Sequence, residues 1–176
     1  MRIIAGVYRS RQIASVPGMN VRPTPDRMRE SLFSILSPVL ENTVFVDAFA
    51  GSGAVGIEAI SRGARKAIFL EKDKRALAVL KDNLITLGIS RSAYEIISGK
   101  AGTNLADWDA DIVFLDPPYD QEKDYIESLS NAQAPLVVAQ HSVRLKLPES
   151  NSKLMRYREV RQGDNVLSFY RSASTE

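Results

Sequence analysis

A chain of 176 residues is long enough for one compact domain with a buried core and is short for two. Its composition, 44% hydrophobic and 25% charged, is typical of a globular protein, and no apolar run approaches the ~20 residues that span a bilayer. The absence of cysteine excludes disulfides, thiolate catalysis and sulfur-ligated metals, and a single histidine, His141, excludes a histidine-based metal cluster within one chain. We therefore expect a cytoplasmic monomer that binds no metal and no membrane.

The net charge is only +2, but the basic residues are unevenly distributed. The first 25 residues contain no acid and four arginines, Arg2, Arg9, Arg11 and Arg22. Guanidinium groups bind phosphate through paired hydrogen bonds, so this arm suits nucleic acid, although a solvated basic segment would have the same composition. The segments RIIAGVY and RQIASVP predict a short twisted pair of strands, and residues 18–23 predict a linker.

A helix is predicted after the linker. Its start signal is Thr24-Pro25-Asp26, a capping residue followed by proline and an acid in the first turn. Apolar residues at helical spacing give it a core face: Met28, Leu32, Ile35 and Leu36. Ser37-Pro38 is expected to end it.

From residue 43 onward, apolar strand-like runs alternate with helical patterns. Strands are predicted at 43–46, 66–71, 93–98, 110–115 and 134–140, with helices at 54–62, 73–87 and 122–130 and a final hairpin that pairs 154–160 with 165–171. Continuous apolar strands between helices indicate a mostly parallel α/β sheet that is covered on both faces. Ligands bind at the carboxyl ends of such strands, where Asp47, Glu71 and Asp116 are expected to line one crevice.

The segment GSGAVG at 51–56 follows a strand, opens a helix and is followed by Glu71, twenty residues after its first glycine. This is the pattern of a dinucleotide site in which the acid binds ribose hydroxyls; the simpler alternative is a tight turn without a ligand. A carboxylate at Asp47 would repel a pyrophosphate and would favour a ligand that carries an ammonium group. The acids therefore favour S-adenosylmethionine over NAD.

The segment FLDPPYD at 114–120 ends a predicted strand. By itself it could be only a strand-ending turn. Beside the glycine loop it indicates a site for an exocyclic amine, because Asp116 and a rigid carbonyl near Pro117 can accept the two N–H groups of that amine. Pro118 stiffens the turn, and Tyr119 can stack on a base.

These segments resemble the motifs of the class I methyltransferases: VFVDAFAGSGAVGIEAISRGA the first, FLEKD the second and FLDPPY the fourth. With MRIIAG, RPTPDRMRESLFSIL and GDNVLSFYR, the chain resembles over nearly its whole length the bacterial RsmD-type methyltransferases, which methylate the exocyclic N2 of one guanine in 16S rRNA of the small ribosomal subunit. The resemblance implies a Rossmann-like α/β fold with a mostly parallel seven-stranded sheet, a C-terminal antiparallel hairpin and a small N-terminal β-hairpin extension. It divides the chain into a basic arm and linker, 1–22, and a methyltransferase domain, 23–176.

The resemblance also implies roles for individual residues. Those expected to bind S-adenosylmethionine are Asp47, Phe49, Gly51, Gly53, Glu71, Lys72, Lys100, Ala101 and Asp116. Those expected to hold the target base are Asp116, Pro117, Pro118 and Tyr119. Those expected to bind RNA are Arg2, Tyr8, Arg9, Arg11, Arg22, Thr24 and Arg27.

The expected partner is 16S rRNA, free or in an assembled small subunit, and removal of residues 1–15 is expected to abolish rRNA binding but to spare cofactor binding. Two alternatives stay open. One is an adenine-N6 methyltransferase acting on DNA or RNA, since the same turn serves any exocyclic amine. The other is an NAD-binding oxidoreductase or a nucleotide-sensing RNA-binding protein.

Overall fold

The computed structural model describes residues 1–18, 26–101, 105, 108–118 and 121–173. The helices are α1 (Asp26–Leu40), α2 (Ala54–Ser61), α3 (Lys74–Leu87) and α4 (Glu122–Asn131). The strands are β1 (Val44–Asp47), β2 (Lys66–Glu71), β3 (Tyr94–Ser98), β4 (Ile112–Leu115), β5 (Leu136–Ser142), β6 (Leu154–Gln162) and β7 (Asn165–Ser172). In the described ranges, no helix has both the length and the apolar character needed to span a membrane.

The described strands form one seven-stranded sheet in the order β3-β2-β1-β4-β5-β7-β6. Strands β1 to β5 are parallel, and β7 is antiparallel to both β5 and β6. This confirms the predicted mostly parallel sheet with a C-terminal antiparallel hairpin. The order reverses between β1 and β4, so the crevice where such sheets bind ligands lies at the carboxyl ends of these two strands.

Both faces of the sheet are covered, as the apolar strands predict. Successive residues of β1 show this, because Phe45 packs with α1 and α2 whereas Val46 packs in the cluster that contains Tyr125 and Leu129 of α4. Helices α2 and α3 cover the face that carries Phe45 where it extends over the neighbouring strand β2, and Phe69 of β2 packs against them. Because both faces of the sheet are buried, the loops at its carboxyl end are the part that can form a ligand site.

Helix α1 differs from the prediction at its end. It continues through Pro38 to Leu40 instead of stopping at Ser37-Pro38. Leu36 and Leu40 lie one turn apart and are both buried in the same cluster. Their burial outweighs the single hydrogen bond that Pro38 removes close to the helix end. The predicted capping residues Thr24 and Pro25 lie outside the described residues.

The N-terminal arm is paired more sparsely than the predicted hairpin. Among residues 1–18 it forms one antiparallel bridge, between Arg2 and Gln12, with backbone hydrogen bonds that join Met1 to Ile13 and Ile3 to Arg11. The backbone N–H groups of Ile4 and Ala5 donate instead to the two carboxylate oxygens of Glu58 in α2, at 2.9 and 3.0 Å. A buried acid therefore takes donors that a partner strand would otherwise bind.

Further contacts fix the arm to α2 and α3. Ser61 Oγ donates to the Ala5 carbonyl and accepts from Tyr8 N–H. The Arg11 guanidinium donates to the last carbonyls of α3, those of Thr86 and Leu87, both at 3.0 Å. The arm is thus packed on the domain along its length, and Arg11 acts as a cap of α3.

The Asn83 side chain of α3 joins the arm to the glycine loop. Its Oδ1 accepts from Ala14 N–H at 2.8 Å, and its Nδ2 donates to the carbonyls of Ala14 and Ser52 at 3.0 and 2.9 Å. Asn83 is buried, so its amide satisfies backbone groups that have little access to water. One side chain therefore positions two segments that are distant in sequence.

Candidate functional site

A cleft of about 860 Å³, counting its opening to solvent, lies at the carboxyl ends of β1, β2, β3 and β4. Of the predicted cofactor and base residues, those that line it are Phe49, Gly51, Glu71, Lys72, Lys100, Ala101, Asp116 and Pro118. The cleft has the size and the place in the fold of a small-molecule site. The loops after four strands thus share one cavity.

Glu71, at the end of β2, is held by backbone donors from both sides. Its Oε2 accepts from Gly51 N–H at 2.8 Å, and its Oε1 accepts from the N–H groups of Lys72 and Asp73, both at 2.8 Å. These bonds fix the carboxylate against the glycine loop. Two carboxylate oxygens have about four acceptor positions, so Glu71 keeps acceptor capacity for hydroxyl groups in the cleft.

The glycines of the loop have different roles. Gly51 lines the cleft, but Gly53 and Gly56 do not. A Cβ on Gly53, whose φ is +85°, would lie 2.3 Å from Leu80 Cδ1, and one on Gly56 would lie 2.3 Å from Phe69 Cε1. Gly53 and Gly56 therefore permit close packing of α2 against α3 and β2, and the predicted cofactor contact of Gly53 stays a prediction.

Asp47 also lies behind the cleft wall. Its side chain is buried, and its Oδ2 accepts from Gly56 N–H in the first turn of α2 at 2.9 Å. Burial raises the pKa of Asp47 to about 7; the Gly56 hydrogen bond opposes this rise, and the charges of Asp116 and Glu71 add to it. Asp47 thus fixes the start of α2 behind the cleft wall, and its predicted contact with the cofactor stays a prediction.

Asp116 follows β4 and is half-buried in the cleft wall. Gln140 of β5 donates from Nε2 to Asp116 Oδ2 at 3.4 Å. Pro117 is buried beneath the turn, and Pro118 lines the cleft. Tyr119, the predicted stacking residue, lies outside the described residues.

Several cleft residues were not predicted. Asp124, Glu127 and Ser128 enter from α4, and Asp73 enters from the cap of α3. The α4 residues recur at i, i+3 and i+4, which is the spacing of one helical face, so the sequence contains a signal for them. That signal identifies a face but does not indicate that the face turns toward the cleft.

The cleft residues suit a cationic ligand. Five carboxylates line it, from Glu71, Asp73, Asp116, Asp124 and Glu127, against the two amines of Lys72 and Lys100. A pyrophosphate would meet repulsion from this excess of acid, whereas a sulfonium and an ammonium group would be attracted. The described residues therefore fit S-adenosylmethionine better than NAD.

The predicted RNA-binding residues lie in two separate places. Tyr8 contacts Ser61 at the end of α2, and Arg11 caps the end of α3, so the arm tip with Arg9 lies where the parallel strands begin. Arg27, exposed in the first turn of α1, and Arg2, whose carbonyl accepts from Arg29 of that turn, lie nearer the cleft. Arg22 and Thr24 fall outside the described residues.

The chain is similar to known proteins in sequence and in fold. The family model for conserved hypothetical protein 95 matches residues 1–171. Bacillus subtilis YlbH, named as a candidate rRNA methyltransferase, is 33% identical over 183 aligned positions, which cover 97% of this chain and 98% of that protein. The ribosomal RNA small subunit methyltransferase D of Haemophilus influenzae is 42% identical over 125 residues, 68% of this chain and 64% of that protein.

A solved structure is similar over nearly the full length. The candidate methyltransferase YhhF of Escherichia coli superimposes with a TM-score of 0.82 at 33% identity, covering 98% of this chain and 97% of that one. This match confirms the Rossmann-like methyltransferase fold that the sequence motifs imply. The aligned segment spans just under two thirds of the Haemophilus relative but nearly all of YlbH and YhhF.

Proposed function

Because this chain belongs to the conserved hypothetical protein 95 family, the family of the RsmD-type methyltransferases, we propose that it methylates the exocyclic N2 of one guanine in 16S rRNA. The observation that carries the proposal is the shared cleft, in which the Asp116 carboxylate lies in one cavity with Glu71 and the glycine loop. The proposed enzyme acts as a cytoplasmic monomer on rRNA, either free or within a small subunit.

The cofactor is S-adenosylmethionine, which supplies an activated methyl group on a sulfonium. Glu71 is placed to bind ribose hydroxyls, since its position is fixed by three backbone donors and it retains acceptor capacity. Phe49 and Ala101 provide apolar wall, and Lys72 and Lys100 lie at the rim. The excess of carboxylates attracts the cationic end of the ligand.

Asp116 acts on the amine that accepts the methyl group. As that nitrogen reacts, its lone pair must leave the ring system and positive charge grows on it. A carboxylate that accepts one N–H of the amine favours both changes, and the Gln140 amide holds that carboxylate in place. A carbonyl in the proline turn is proposed to accept the second N–H, and Tyr119 to stack on the base.

The decisive experiment combines one substitution with substrate mapping. In Asp116→Ala, the single-turnover rate is expected to fall roughly 10²–10³-fold, the usual effect of removing one group that stabilises transition-state charge. The affinity for S-adenosylmethionine, measured by calorimetry, is expected to change only a few-fold because Glu71 and the glycine loop remain. A near-wild-type rate would refute the role of Asp116.

Mass mapping of the methylated rRNA identifies the product. Guanine carrying a methyl group on N2 is the expected outcome. Methyl transfer to adenine N6 would instead support the alternative enzyme. Binding of NAD without binding of S-adenosylmethionine would overturn the proposed function as a whole.

A further inference from the structure

A second groove lies beside the catalytic turn, between the β5–β6 loop and the β6–β7 hairpin. Its lining includes His141, Lys146, Arg156, Glu159 and Arg161. Arg161 also lines a neighbouring shallow groove that reaches Arg27 in the first turn of α1. We call the first of these the β5–β6 groove.

The β5–β6 groove and the site of Asp116 both lie at the carboxyl end of β5. Strands β4 and β5 pair with Leu115 opposite Ala139, so Asp116 and Gln140 are the next neighbours, and they are hydrogen-bonded. The following residue of β5, His141, lines the groove. Gln140 and His141 are consecutive in β5 but point to opposite faces of the sheet, so the groove lies near the Asp116 site, at the same strand end, without opening into it.

The charges deep in the groove are already balanced. Arg156 pairs with Glu159 at 3.1 Å and with Glu149 at 3.4 Å. His141 contacts the Ser142 carbonyl and Ser168 Oγ, and burial lowers its pKa, so that it is neutral at pH 7. These groups form the wall of the groove and leave no net positive charge there.

The cations at the groove rim are not balanced. Lys146 and Arg161 are exposed, and none of the ion pairs among the described residues includes them or Arg27. Among the described residues, the Arg161 guanidinium donates to the Gly163 carbonyl through Nε, which leaves its outer nitrogens for a ligand. Two uncompensated cations along a groove are complementary to a phosphodiester backbone.

We propose that the β5–β6 groove binds the sugar-phosphate backbone of the RNA strand next to the target nucleotide, with Lys146 and Arg161 contacting phosphates. This inference rests on the proposed function and names the surface by which the same site holds its substrate. The contacts position the strand without reading its sequence.

The test compares two pairs of variants. Lys146→Ala with Arg161→Ala removes the groove cations, and Arg65→Ala with Lys81→Ala removes two exposed cations that lie outside the groove and outside the predicted RNA-binding residues. Affinity for an rRNA fragment that contains the methylated site is measured against salt concentration. The groove pair is expected to bind about tenfold more weakly at low salt, and its salt slope to fall by about 0.7 per lost phosphate contact, or about 1.4 in total. The control pair is expected to match the wild type.

Thermal unfolding and cofactor calorimetry accompany these measurements, and both are expected to be unchanged in the groove pair. An unchanged RNA affinity and salt slope in that pair would overturn the groove assignment alone, provided that the wild type transfers methyl groups to rRNA. A loss in the control pair with none in the groove pair would place the RNA on the surface of Arg65 and Lys81 and would also overturn the groove assignment. A wild type that transfers no methyl group to rRNA would overturn both proposals.

Discussion

At the scale of single residues, Asp47 is a carboxyl group whose ionisation is disfavoured by burial and by the neighbouring acids of the cleft. Its carboxyl is buried next to Asp116 and Glu71, and its pKa rises to about 7 despite the hydrogen bond from Gly56. A cation bound near Asp116 and Glu71 offsets their repulsion and favours ionised Asp47. Ligand binding should therefore release a proton.

This linkage predicts a pH dependence of cofactor affinity. Between pH 5.5 and about 7, affinity for S-adenosylmethionine is expected to rise, by up to tenfold per pH unit, and then to level off as Asp47 becomes ionised in the free protein. In Asp47→Asn the rise in affinity that is due to Asp47 is expected to disappear. Any pH dependence that remains is then due to the titration of S-adenosylmethionine itself. Calorimetric titrations across this range measure both; the same slope in the two proteins would contradict the role of Asp47.

The stability of the free protein should change with pH in the opposite sense. The folded carboxyl of Asp47 binds its proton up to about pH 7, whereas in the unfolded chain its pKa is near 3.8. The folded state therefore holds more protons in this window, and the contribution of Asp47 to stability falls as pH rises through it.

At the scale of elements, the arm is part of the domain core and not an appendage. Ile3 and Ile13 are buried with α2 and α3, and the Glu58 carboxylate accepts from Ile4, Ala5 and Arg62. Deletion of residues 1–15 would expose this cluster and remove two of the three donors to Glu58. The expectation that such a deletion spares cofactor binding is therefore replaced by an expectation of unfolding.

Glu58→Ala provides a direct measure of arm docking. The change removes an acceptor for three donors and breaks a buried ion pair, so it is expected to lower the free energy of unfolding by about 3–5 kcal/mol. Urea denaturation measures this loss. Glu30→Ala, at an exposed position of α1, is the control and is expected to change stability by less than about 0.5 kcal/mol. Equal effects of the two substitutions would show that the arm is not held by Glu58.

Sequence patterns predicted the elements whose signals are local. The run at 66–71 became β2 with the predicted bounds, and Glu71 was identified from its distance to Gly51. The predicted arm strands pair only around Arg2 and Gln12, because the next donors, Ile4 and Ala5, bind Glu58, more than fifty residues away. The α4 residues of the cleft were missed for a similar reason, because periodicity identifies a helix face but not the element against which that face packs.

At the scale of the whole molecule, the arm tip and the cleft lie at opposite ends of the sheet. The arm tip lies at the ends of α2 and α3, and the cleft lies where these helices begin. The fourteen residues of α3 span about 21 Å at 1.5 Å per residue. An RNA that contacts both Arg9 and Asp116 must bridge roughly that distance.

Cofactor binding should stabilise the whole domain, because the cleft walls come from loops after four strands. At a ligand concentration of 100 times Kd the stabilisation is about 2.7 kcal/mol, which corresponds to a rise in Tm of roughly 5–10 °C for a domain of this size. A thermal melt with S-adenosylmethionine is expected to show this rise, and one with NAD is expected to show none. A rise with NAD would favour the oxidoreductase alternative.

The bridge made by Asn83 also has a thermodynamic consequence. Because one amide holds both Ala14 of the arm and Ser52 of the glycine loop, the two segments are not independent ligand-responsive parts. If a ribosomal partner displaces the arm, it changes the affinity for the cofactor by some factor. The cofactor must then change the affinity for that partner by the same factor. The order in which cofactor and ribosomal substrate are loaded would then be governed by a side chain that touches neither.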